Sequence, residues 1–207
     1  EIASVMGCAI LTGAGMVKNQ TVISDQTVVV IWGLGGIGFA AAVMASFYRP
    51  KRLIVVEASA EKLNQAADMG AHCVNAVMED PVRAIRDLTQ GEGADVVIES
   101  VGRTTTIEQA FQATKRGGLC LFASHPEHGA TIAIDPHDLI CGKQIRGSWG
   151  GGSDPDRDIP FYAKLIQNGA ISFEGLVSDV FPLSRIQEAL QVFQEKSVNR
   201  VLLSCRE

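Results

Sequence analysis

The stretch that decides the fold is Gln26-Thr-Val-Val-Val-Ile-Trp32, which is followed at once by Gly33-Leu-Gly-Gly-Ile-Gly38. The first part is a short, continuous run of β-branched and apolar residues that ends at glycines. Such a run predicts a strand that is buried on both faces of a parallel sheet. Small and apolar residues then continue over Gly36 to Tyr48 and predict a buried helix, which Arg49-Pro50 ends. The glycines therefore lie in the turn between a central strand and a helix.

The same alternation of strand and helix continues along the chain. Further strands are predicted at Leu53–Val56, His72–Ala76, Ala94–Glu99 and Gly118–Ala123, and helices from the N-cap Ser59 to Gly70, at Asp80–Leu88 and at Thr104–Thr114. Strands that alternate with helices predict an α/β protein with a doubly wound parallel sheet of the Rossmann type, in three αβα layers. Shorter strands are predicted at Thr131–Ile134, Gln144–Trp149 and Arg200–Leu203, and helices at Ile159–Ile166 and Ile186–Gln194.

The least regular stretch, Gly150-Gly-Gly-Ser-Asp-Pro155, predicts a joint near the end of the sheet. We expect a dinucleotide-binding Rossmann domain with an N-terminal helix over residues 1–152, and a separate C-terminal segment over residues 153–207.

The composition limits the classes of function. The 207 residues include 18 Lys+Arg and 23 Asp+Glu, for a net charge of −5, and 46% are hydrophobic. A chain of this size buries a substantial core, and without a basic tract we expect neither nucleic acid nor a membrane surface as a partner. The longest apolar run, Phe39 to Ala45, is far shorter than the roughly 20 residues of a membrane span. Five scattered cysteines predict no disulfide framework and a reducing, cytoplasmic location.

The glycine turn fits the pattern G-x-G-x-x-G in the context that phosphate binding requires. Gly33 would allow the tight turn, Gly35 would let a pyrophosphate approach the backbone, and Gly38 would permit close helix packing. Gly36 belongs to the same turn, where unpaired amides at the helix N-terminus would hold the anion. The alternative is a turn that merely connects a strand to a helix.

Glu57 ends the second strand, about 20 residues after the glycine turn. A carboxylate there would accept hydrogen bonds from a ribose diol and repel a 2′-phosphate, so NAD is the expected cofactor rather than NADP. Lys62 is the nearby cation. It either contacts the ribose or a phosphate, or it is an ordinary solvated helix residue.

A second segment, Gly7-Cys8-Ala-Ile-Leu-Thr12-Gly13-Ala-Gly15, precedes the glycine turn. The order and spacing of the two segments resemble the zinc-dependent medium-chain alcohol dehydrogenase family, and the similarity continues through Glu99-Ser-Val-Gly102 and Ile145-Arg-Gly-Ser148. The resemblance implies a coenzyme-binding domain and C-terminal segment, which in the family returns towards the catalytic domain. The N-terminal catalytic portion of the family is absent from the sequence.

The resemblance also implies site residues. Cys8 would be one ligand of a catalytic zinc, Thr12 would be the catalytic residue beside the nicotinamide, and Ile37 would press on its ring. Judged without the resemblance, a lone cysteine on an apolar helix is structural. Because a catalytic zinc takes three protein ligands and an open position, Cys8 alone would not assemble it. Further cofactor contacts, mostly from the backbone, are implied for Phe122, Ser124, Ser148, Gly150 and Arg200.

Val101 and Gly102 follow the fourth predicted strand at its carboxyl end, where open α/β sheets place ligands, so we predict that they line the cofactor crevice. Arg103 either lines the crevice together with them or is a solvated surface charge. His125 and His128 are spaced i, i+3 and predict a polar loop rather than a metal site. His125 departs from the family pattern near the expected nicotinamide pocket.

We therefore expect the coenzyme-binding part of a zinc- and NAD-dependent alcohol dehydrogenase that transfers hydride reversibly between a small alcohol and NAD. This chain alone would be inactive, and the parent protein would form a homo-oligomer through the sheet edge near Gln144–Trp149. One alternative is a non-catalytic NAD-binding module. The other is a zinc-free member of the superfamily similar to quinone reductases, against which Cys8 and Glu57 argue.

Overall fold

The computed structural model describes residues 1–194 and 199–205, and within them a parallel sheet of six strands forms the centre. The strands are β1 Val28–Trp32, β2 Arg52–Glu57, β3 His72–Asn75, β4 Ala94–Glu99, β5 Thr114–Phe122 and β6 Gln144–Gly147. Their spatial order is β3-β2-β1-β4-β5-β6, so the chain grows outwards from β1 first to one side and then to the other. This is the strand order of two mononucleotide-binding halves. The predicted doubly wound sheet is confirmed.

Helices cover both faces of the sheet. Those described are α1 Ile2–Val5, α2 Leu11–Gln20, α3 Gly36–Phe47, α4 Ala60–Asp68, α5 Pro81–Leu88, α6 Thr104–Ala113, α7 Pro136–Ile140, α8 Pro155–Gln167 and α9 Ile186–Gln194. A π-helical turn, Met6–Ile10, joins α1 to α2. Two further strands, β7 Asp179–Pro182 and β8 Val201–Ser204, pair in parallel as a separate small sheet.

The sheet separates two hydrophobic cores, as the alternation of side chains along a strand requires. In β1, Val29 and Ile31 belong to the core shared with α2 and α3, whereas Val30 and Trp32 belong to the core shared with α5 and α6. Val29, Val30 and Ile31 are completely buried. The continuous apolar run in the sequence therefore reflects helices on both faces, which gives the three layers predicted.

Several helix starts have a side-chain cap. Ser59 Oγ accepts a hydrogen bond from Lys62 N at 3.4 Å, as the sequence predicted. Asp154 Oδ1 accepts from Asp156 N at 3.1 Å, with Pro155 in the first turn of α8. This cap and proline start α8 four residues earlier than the predicted Ile159, because proline is well tolerated in a first helical turn.

One predicted strand and the predicted start of another are wrong, and one strand was missed. Residues Thr131–Ile134 have no regular structure, and Ala133 N donates instead to Glu108 Oε1 at 2.8 Å. The polar contact with a neighbouring helix replaces a strand partner there. β5 begins at Thr114 rather than at Gly118, because Thr114 pairs with Ala94 across a register irregularity. The strand β7 was not predicted, since its four residues are stabilised by pairing with the distant β8.

The helical segment Ile2–Gln20 has 19 residues and a mean hydropathy of 1.3, so by length and composition it could cross a membrane. It lies near the N-terminus, and 56% of its most apolar window is buried inside the protein. A core helix of a soluble protein has the same properties, so this segment is weak evidence for a membrane span.

A buried ionic network joins α8 to α2. Asp158 is completely buried, and its carboxylate accepts from Lys18 Nζ at 2.9 Å and from Asn19 Nδ2 at 3.1 Å. Arg157 adds two hydrogen bonds of 3.1 and 3.2 Å, one to each oxygen. Burial by itself raises the pKa of the Asp158 carboxyl, but the hydrogen bonds from Arg157 and Lys18 outweigh burial and lower it well below its usual range.

The segment after the predicted joint adds residues to the first core. Tyr162, Phe173 and Leu176 are buried and pack in the same cluster as α2 and α3. Division into residues 1–152 and 153–207 remains a prediction.

Candidate functional site at the carboxyl edge of the sheet

In the turn after β1, one glycine provides a positive φ and another provides space for close packing. Gly33 has a φ of +87°, and its N–H donates to Val56 O at 2.8 Å, which binds the turn to β2. A Cβ on Gly38 would overlap Gly33 O, so this glycine lets α3 pack directly on the turn. A Cβ on Gly35 would meet no atom within 4 Å. The turn is therefore tight and closely packed, with an open side at Gly35.

A cleft of about 1080 Å³ opens beside this turn. It lies at the carboxyl ends of β1, β2 and β4, where the strand order reverses and where open α/β sheets bind ligands. Among the predicted cofactor-binding residues, the cleft is lined by Gly33, Gly35, Gly36, Glu57, Lys62, Val101 and Arg200. Predicted residues from four separate segments thus meet in one place.

Glu57 is half-buried in the cleft wall at the end of β2. Its Oε2 accepts from Leu34 N at 2.7 Å, and its Oε1 accepts from Ala58 N at 2.7 Å and Ser59 N at 3.1 Å. The carboxylate therefore holds the glycine turn, a role that the sequence did not reveal. Each carboxylate oxygen has two lone pairs, so Oε1 is fully used and acceptor capacity remains on Oε2 for one hydroxyl group of a ligand.

Three cations border the cleft. Lys62 is only 7% exposed, so its interpretation as a solvated helix residue is wrong. The Arg200 guanidinium lies so close to Gly36 that a Cβ there would overlap it, and Arg103 also lines the cleft. None of the ion pairs formed within residues 1–194 and 199–205 involves these three side chains. Their charges are available to an anionic ligand.

Glu99, the last residue of β4, is a component of the site that the sequence analysis missed. It is completely buried, directly below the loop that carries Val101 and Gly102. Both of those residues donate backbone N–H groups to its Oε1 at 2.9 Å. The signal in the sequence was a carboxylate that directly follows the apolar residues Val96–Ile98 at the carboxyl end of the strand.

The ends of β5 and β6 bring together the residues predicted to surround the nicotinamide carboxamide. Ser148 N donates to Phe122 O at 2.7 Å. Ser124 lies beside the cleft loop, since a Cβ on Gly102 would be 3.2 Å from Ser124 Cβ. Gly150 is exposed and has a φ of +56°. This group adjoins the cleft across the loop after β4.

An aromatic pair extends this end of the site. The His125 and Trp149 rings are perpendicular, with an interplanar angle of 87° and centroids 5.9 Å apart. Trp149 is 85% exposed. The departure of His125 from the family pattern is therefore accompanied by a second aromatic residue, which lies next to Ser148 in the chain.

Helix α2 is held between two backbone surfaces. A Cβ on Gly13 would overlap Ile37 O in α3, and a Cβ on Gly151 would overlap Thr12 O. Ser153 Oγ donates to Leu11 O at 2.8 Å. Glycine contacts thus fix Thr12 relative to the glycine turn and to the end of β6.

Cys8 lies in the π-helical turn that precedes α2, where Leu11 N bonds to the carbonyl of Met6, five residues earlier. Such turns are frequent at functional sites, and Cys8 is exposed. In residues 1–194 and 199–205, no group of three or more His, Cys, Asp or Glu side chains could hold a metal ion. One thiol does not make a zinc site, so these residues do not fit the metal by themselves.

Known proteins are similar to this chain in fold and in sequence. The family described as "Zinc-binding dehydrogenase" matches residues 36–168. Alcohol dehydrogenase class-2 isozyme 2 of Oryctolagus cuniculus is 30% identical over 203 residues, which cover 96% of this chain and 53% of that protein. The chain spans about half the length of the curated relatives that it matches. It belongs to the zinc-binding dehydrogenase family, and the resemblance seen in the sequence is confirmed.

Solved structures agree with this assignment. The alcohol dehydrogenase zinc-binding domain protein from Burkholderia ambifaria superposes with a TM-score of 0.93 at 29% identity, over 100% of this chain and 56% of that one. Benzyl alcohol dehydrogenase from Acinetobacter calcoaceticus superposes with a TM-score of 0.90 at 29% identity, over 96% of this chain and 55% of that one.

Proposed function

We propose that this chain is the NAD-binding part of a zinc-dependent alcohol dehydrogenase, which transfers hydride reversibly between an alcohol and NAD. The observation that carries the proposal is the cleft at the switch point of the sheet, where the open glycine turn and Glu57 lie side by side in the lining. An anion-binding turn and a diol-accepting carboxylate in one cleft match the two polar parts of a dinucleotide.

Each part of the cleft has a proposed contact. Amides of Gly35 and Gly36 at the start of α3 would bind the pyrophosphate, and Arg200 would add its charge there. Glu57 would accept a hydrogen bond from a ribose hydroxyl through Oε2, with Lys62 beside it. A 2′-phosphate would meet the Glu57 carboxylate, which favours NAD over NADP.

The nicotinamide end would lie over the ends of β5 and β6. Phe122, Ser124, Ser148 and Gly150 would orient the carboxamide, while Thr12 and Ile37 would border the ring. When bound, NAD supplies the hydride acceptor, whereas the protein supplies orientation and exclusion of water. The closely packed helix α2 is suited to this task, because its backbone contacts leave little freedom to shift.

Zinc would require the rest of the parent protein. Cys8 would supply one thiolate, and the remaining ligands would come from a catalytic portion outside this sequence. We therefore propose that this chain alone is inactive. The substrate would be a small alcohol or aldehyde, and the perpendicular rings of His125 and Trp149 would face the pocket that it enters.

The proposed setting is cytoplasmic, without nucleic acid or membrane as a partner. β6 is the outer strand of the described sheet, and its unpaired side could join a second copy into a homo-oligomer.

Calorimetric titration of the 207-residue chain with NAD⁺ and NADP⁺ tests the cofactor assignment. NAD⁺ should bind at least about tenfold more tightly, because the 2′-phosphate would be repelled by Glu57. The variant Glu57→Gln should reduce that preference, whereas Glu61→Gln, which changes an exposed carboxylate in α4, should leave it intact. Absence of binding would refute the proposal, and tighter binding of NADP⁺ would favour the quinone-reductase alternative.

A second function, a non-catalytic NAD-binding module, is favoured by one observation. The described residues hold no metal-binding group of three side chains. The protein isolated from its native source distinguishes the two functions by intact mass, zinc content and alcohol-dependent reduction of NAD. A mass of about 35 to 40 kDa with zinc and turnover supports the dehydrogenase. A mass near 22.1 kDa with NAD binding and no turnover supports the module.

A further inference from the structure

The two tryptophans of the chain differ in their surroundings. Trp32 is 2% exposed in the core, whereas Trp149 is 85% exposed. Tryptophan is highly buried on average, because its large ring carries much apolar surface. Trp149 follows Ser148, whose N–H donates to Phe122 O at 2.7 Å, so the exposed indole belongs to the group of residues at the ends of β5 and β6. An indole at that place is available to a ligand.

Glycines flank Trp149 in the chain and leave room beside its ring. Gly147 lies two residues before it, and the turn Gly150–Gly152 follows it directly. None of these residues places a side chain next to the indole. A Cβ on Gly147 would lie 3.5 Å from the Phe122 ring, which is an ordinary van der Waals distance, so a further aromatic ring lies against the same backbone. The end of β6 thus carries aromatic rings among small residues.

The His125 and Trp149 rings form a corner. They are inclined at 87° with centroids 5.9 Å apart, so one ring presents its edge to the face of the other. Aromatic rings attract each other in offset-stacked or edge-to-face arrangements over centroid distances of about 4.5 to 7 Å. A third flat ring placed in this corner would stack on one ring and meet the other edge to face. A saturated ring of the same size lacks a π-system and would gain only from burial.

We propose that Trp149 and His125 are specificity-determining residues that make aryl alcohols the preferred substrates, with the aromatic ring of the alcohol seated in the corner between them. This inference rests on the proposed alcohol dehydrogenase function and names the substrate class of the same site. Binding sites for small molecules combine apolar and aromatic walls with a few polar groups, and here Ser124 and Ser148 directly precede the two rings in the chain. A primary alcohol with one aromatic ring, such as benzyl alcohol, is the smallest compound of this class.

NMR titration of the ¹⁵N-labelled 207-residue chain, saturated with NAD⁺, tests this preference. The probes are benzyl alcohol and cyclohexylmethanol, which has the same carbon skeleton with a saturated ring. The indole N–H resonance of Trp149 should shift with benzyl alcohol, and that of the buried Trp32 is the internal control. Benzyl alcohol should bind about fivefold more tightly than cyclohexylmethanol, because aromatic pairs gain energy beyond the area that they bury. Burial alone predicts the reverse order, since cyclohexylmethanol is the more apolar compound.

The variant Trp149→Leu keeps an apolar side chain and removes the ring, so the preference for benzyl alcohol should disappear. Binding to this variant is followed through the Gly150 amide resonance, and an unshifted Trp32 resonance shows that its fold is intact. Phe47→Leu is the matched control. Phe47 is also exposed and pairs edge to face with Tyr48, at 69° and 5.5 Å, but at the other end of α3 from the glycine turn. This variant should keep the fivefold preference.

The outcomes separate the two proposals. If the chain does not bind NAD⁺, the proposed function fails and this inference fails with it. If NAD⁺ binds, but benzyl alcohol binds no more tightly than cyclohexylmethanol or Trp149→Leu keeps the preference, the aryl specificity is refuted and the proposed function stands. If the Trp149 resonance responds to the concentration of the chain rather than to the alcohol, a second copy covers the indole, which also overturns the substrate assignment.

Discussion

Glu99 and Asp158 are both completely buried carboxylates, yet their surroundings differ in one respect. Asp158 is paired with Lys18 at 2.9 Å and with Arg157 at 3.1 Å. Glu99 receives hydrogen bonds only from neutral N–H and O–H groups in the described part of the chain. The first carboxylate joins α8 to α2, whereas the second lies at the carboxyl edge of the sheet beside the cleft.

The difference indicates how the chain uses its buried charge. A cation beside a buried carboxylate offsets the cost of removing both from water, so the pair serves as a structural link. The contact between α2 and α8 should therefore govern stability, and the carboxyl edge of the sheet should govern cofactor affinity.

The largest expected effect is on stability, at the contact between α2 and α8. Asp158→Ala leaves Lys18 without its partner in a mostly buried position, and the free energy of unfolding should fall by about 3 kcal/mol. Urea denaturation followed by circular dichroism measures it. Asp156→Ala, in the same helix but exposed, should cost less than about 1 kcal/mol. Equal losses in the two variants would mean that the buried network is not a structural link.

The glycine contact that fixes α2 should have the next largest effect. Gly151 has a φ of +70°, and a Cβ there would overlap the carbonyls of Leu11 and Thr12. Gly151→Ala should lower the free energy of unfolding by about 2 kcal/mol, part from the positive φ and part from displacement of α2. Gly150→Ala shares the positive φ and would meet no atom within 4 Å, so it should cost about 1 kcal/mol. If thermal melts show equal losses of stability in the two variants, the contact of Gly151 with α2 does not contribute.

At the carboxyl edge of the sheet, the expected effect is on cofactor affinity. Arg200→Met should weaken NAD⁺ binding about tenfold, because a charge-assisted contact with the pyrophosphate is lost, while stability changes by less than about 0.5 kcal/mol. The control Arg116→Met removes an exposed arginine near the amino-terminal end of β5. Calorimetry should show normal affinity for this control, and an equal loss in both variants would indicate general electrostatic attraction instead.

The smallest expected effect is the dependence of stability on pH, which should appear in acid and be absent near neutrality. The pKa of Asp158 is lower in the folded protein than in the unfolded chain, so the ionised carboxylate stabilises the fold at pH values above its unfolded pKa of about 3.9. That contribution decreases as the pH falls from about 5 towards the lower folded pKa. The stability difference between wild type and Asp158→Asn should therefore be constant from pH 6 to 8 and narrow in acid. A difference independent of pH down to about 3 would show that ionisation of Asp158 does not contribute.

The sequence predicted more of the fold than of the site. The strand β4 matched its predicted limits, and Ser59 caps α4 where its spacing indicated. These are local features, decided by periodicity and by contacts within one turn. Thr131–Ile134 was wrongly predicted as a strand, because a short run of such residues pairs only if a neighbouring strand is available.

What the sequence by itself determined is the order of the central strands and helices along the chain, the glycine turn and the acidic residue at the end of β2. Those follow from local spacing and side-chain type. Only the tertiary structure decided that Lys62 is buried at the cleft, that Arg200 reaches Gly36, and that Glu99 lacks a cation among its described neighbours. Burial and charge pairing depend on which distant segments meet, and the energy of a charge is set by that environment rather than by its neighbours in the chain.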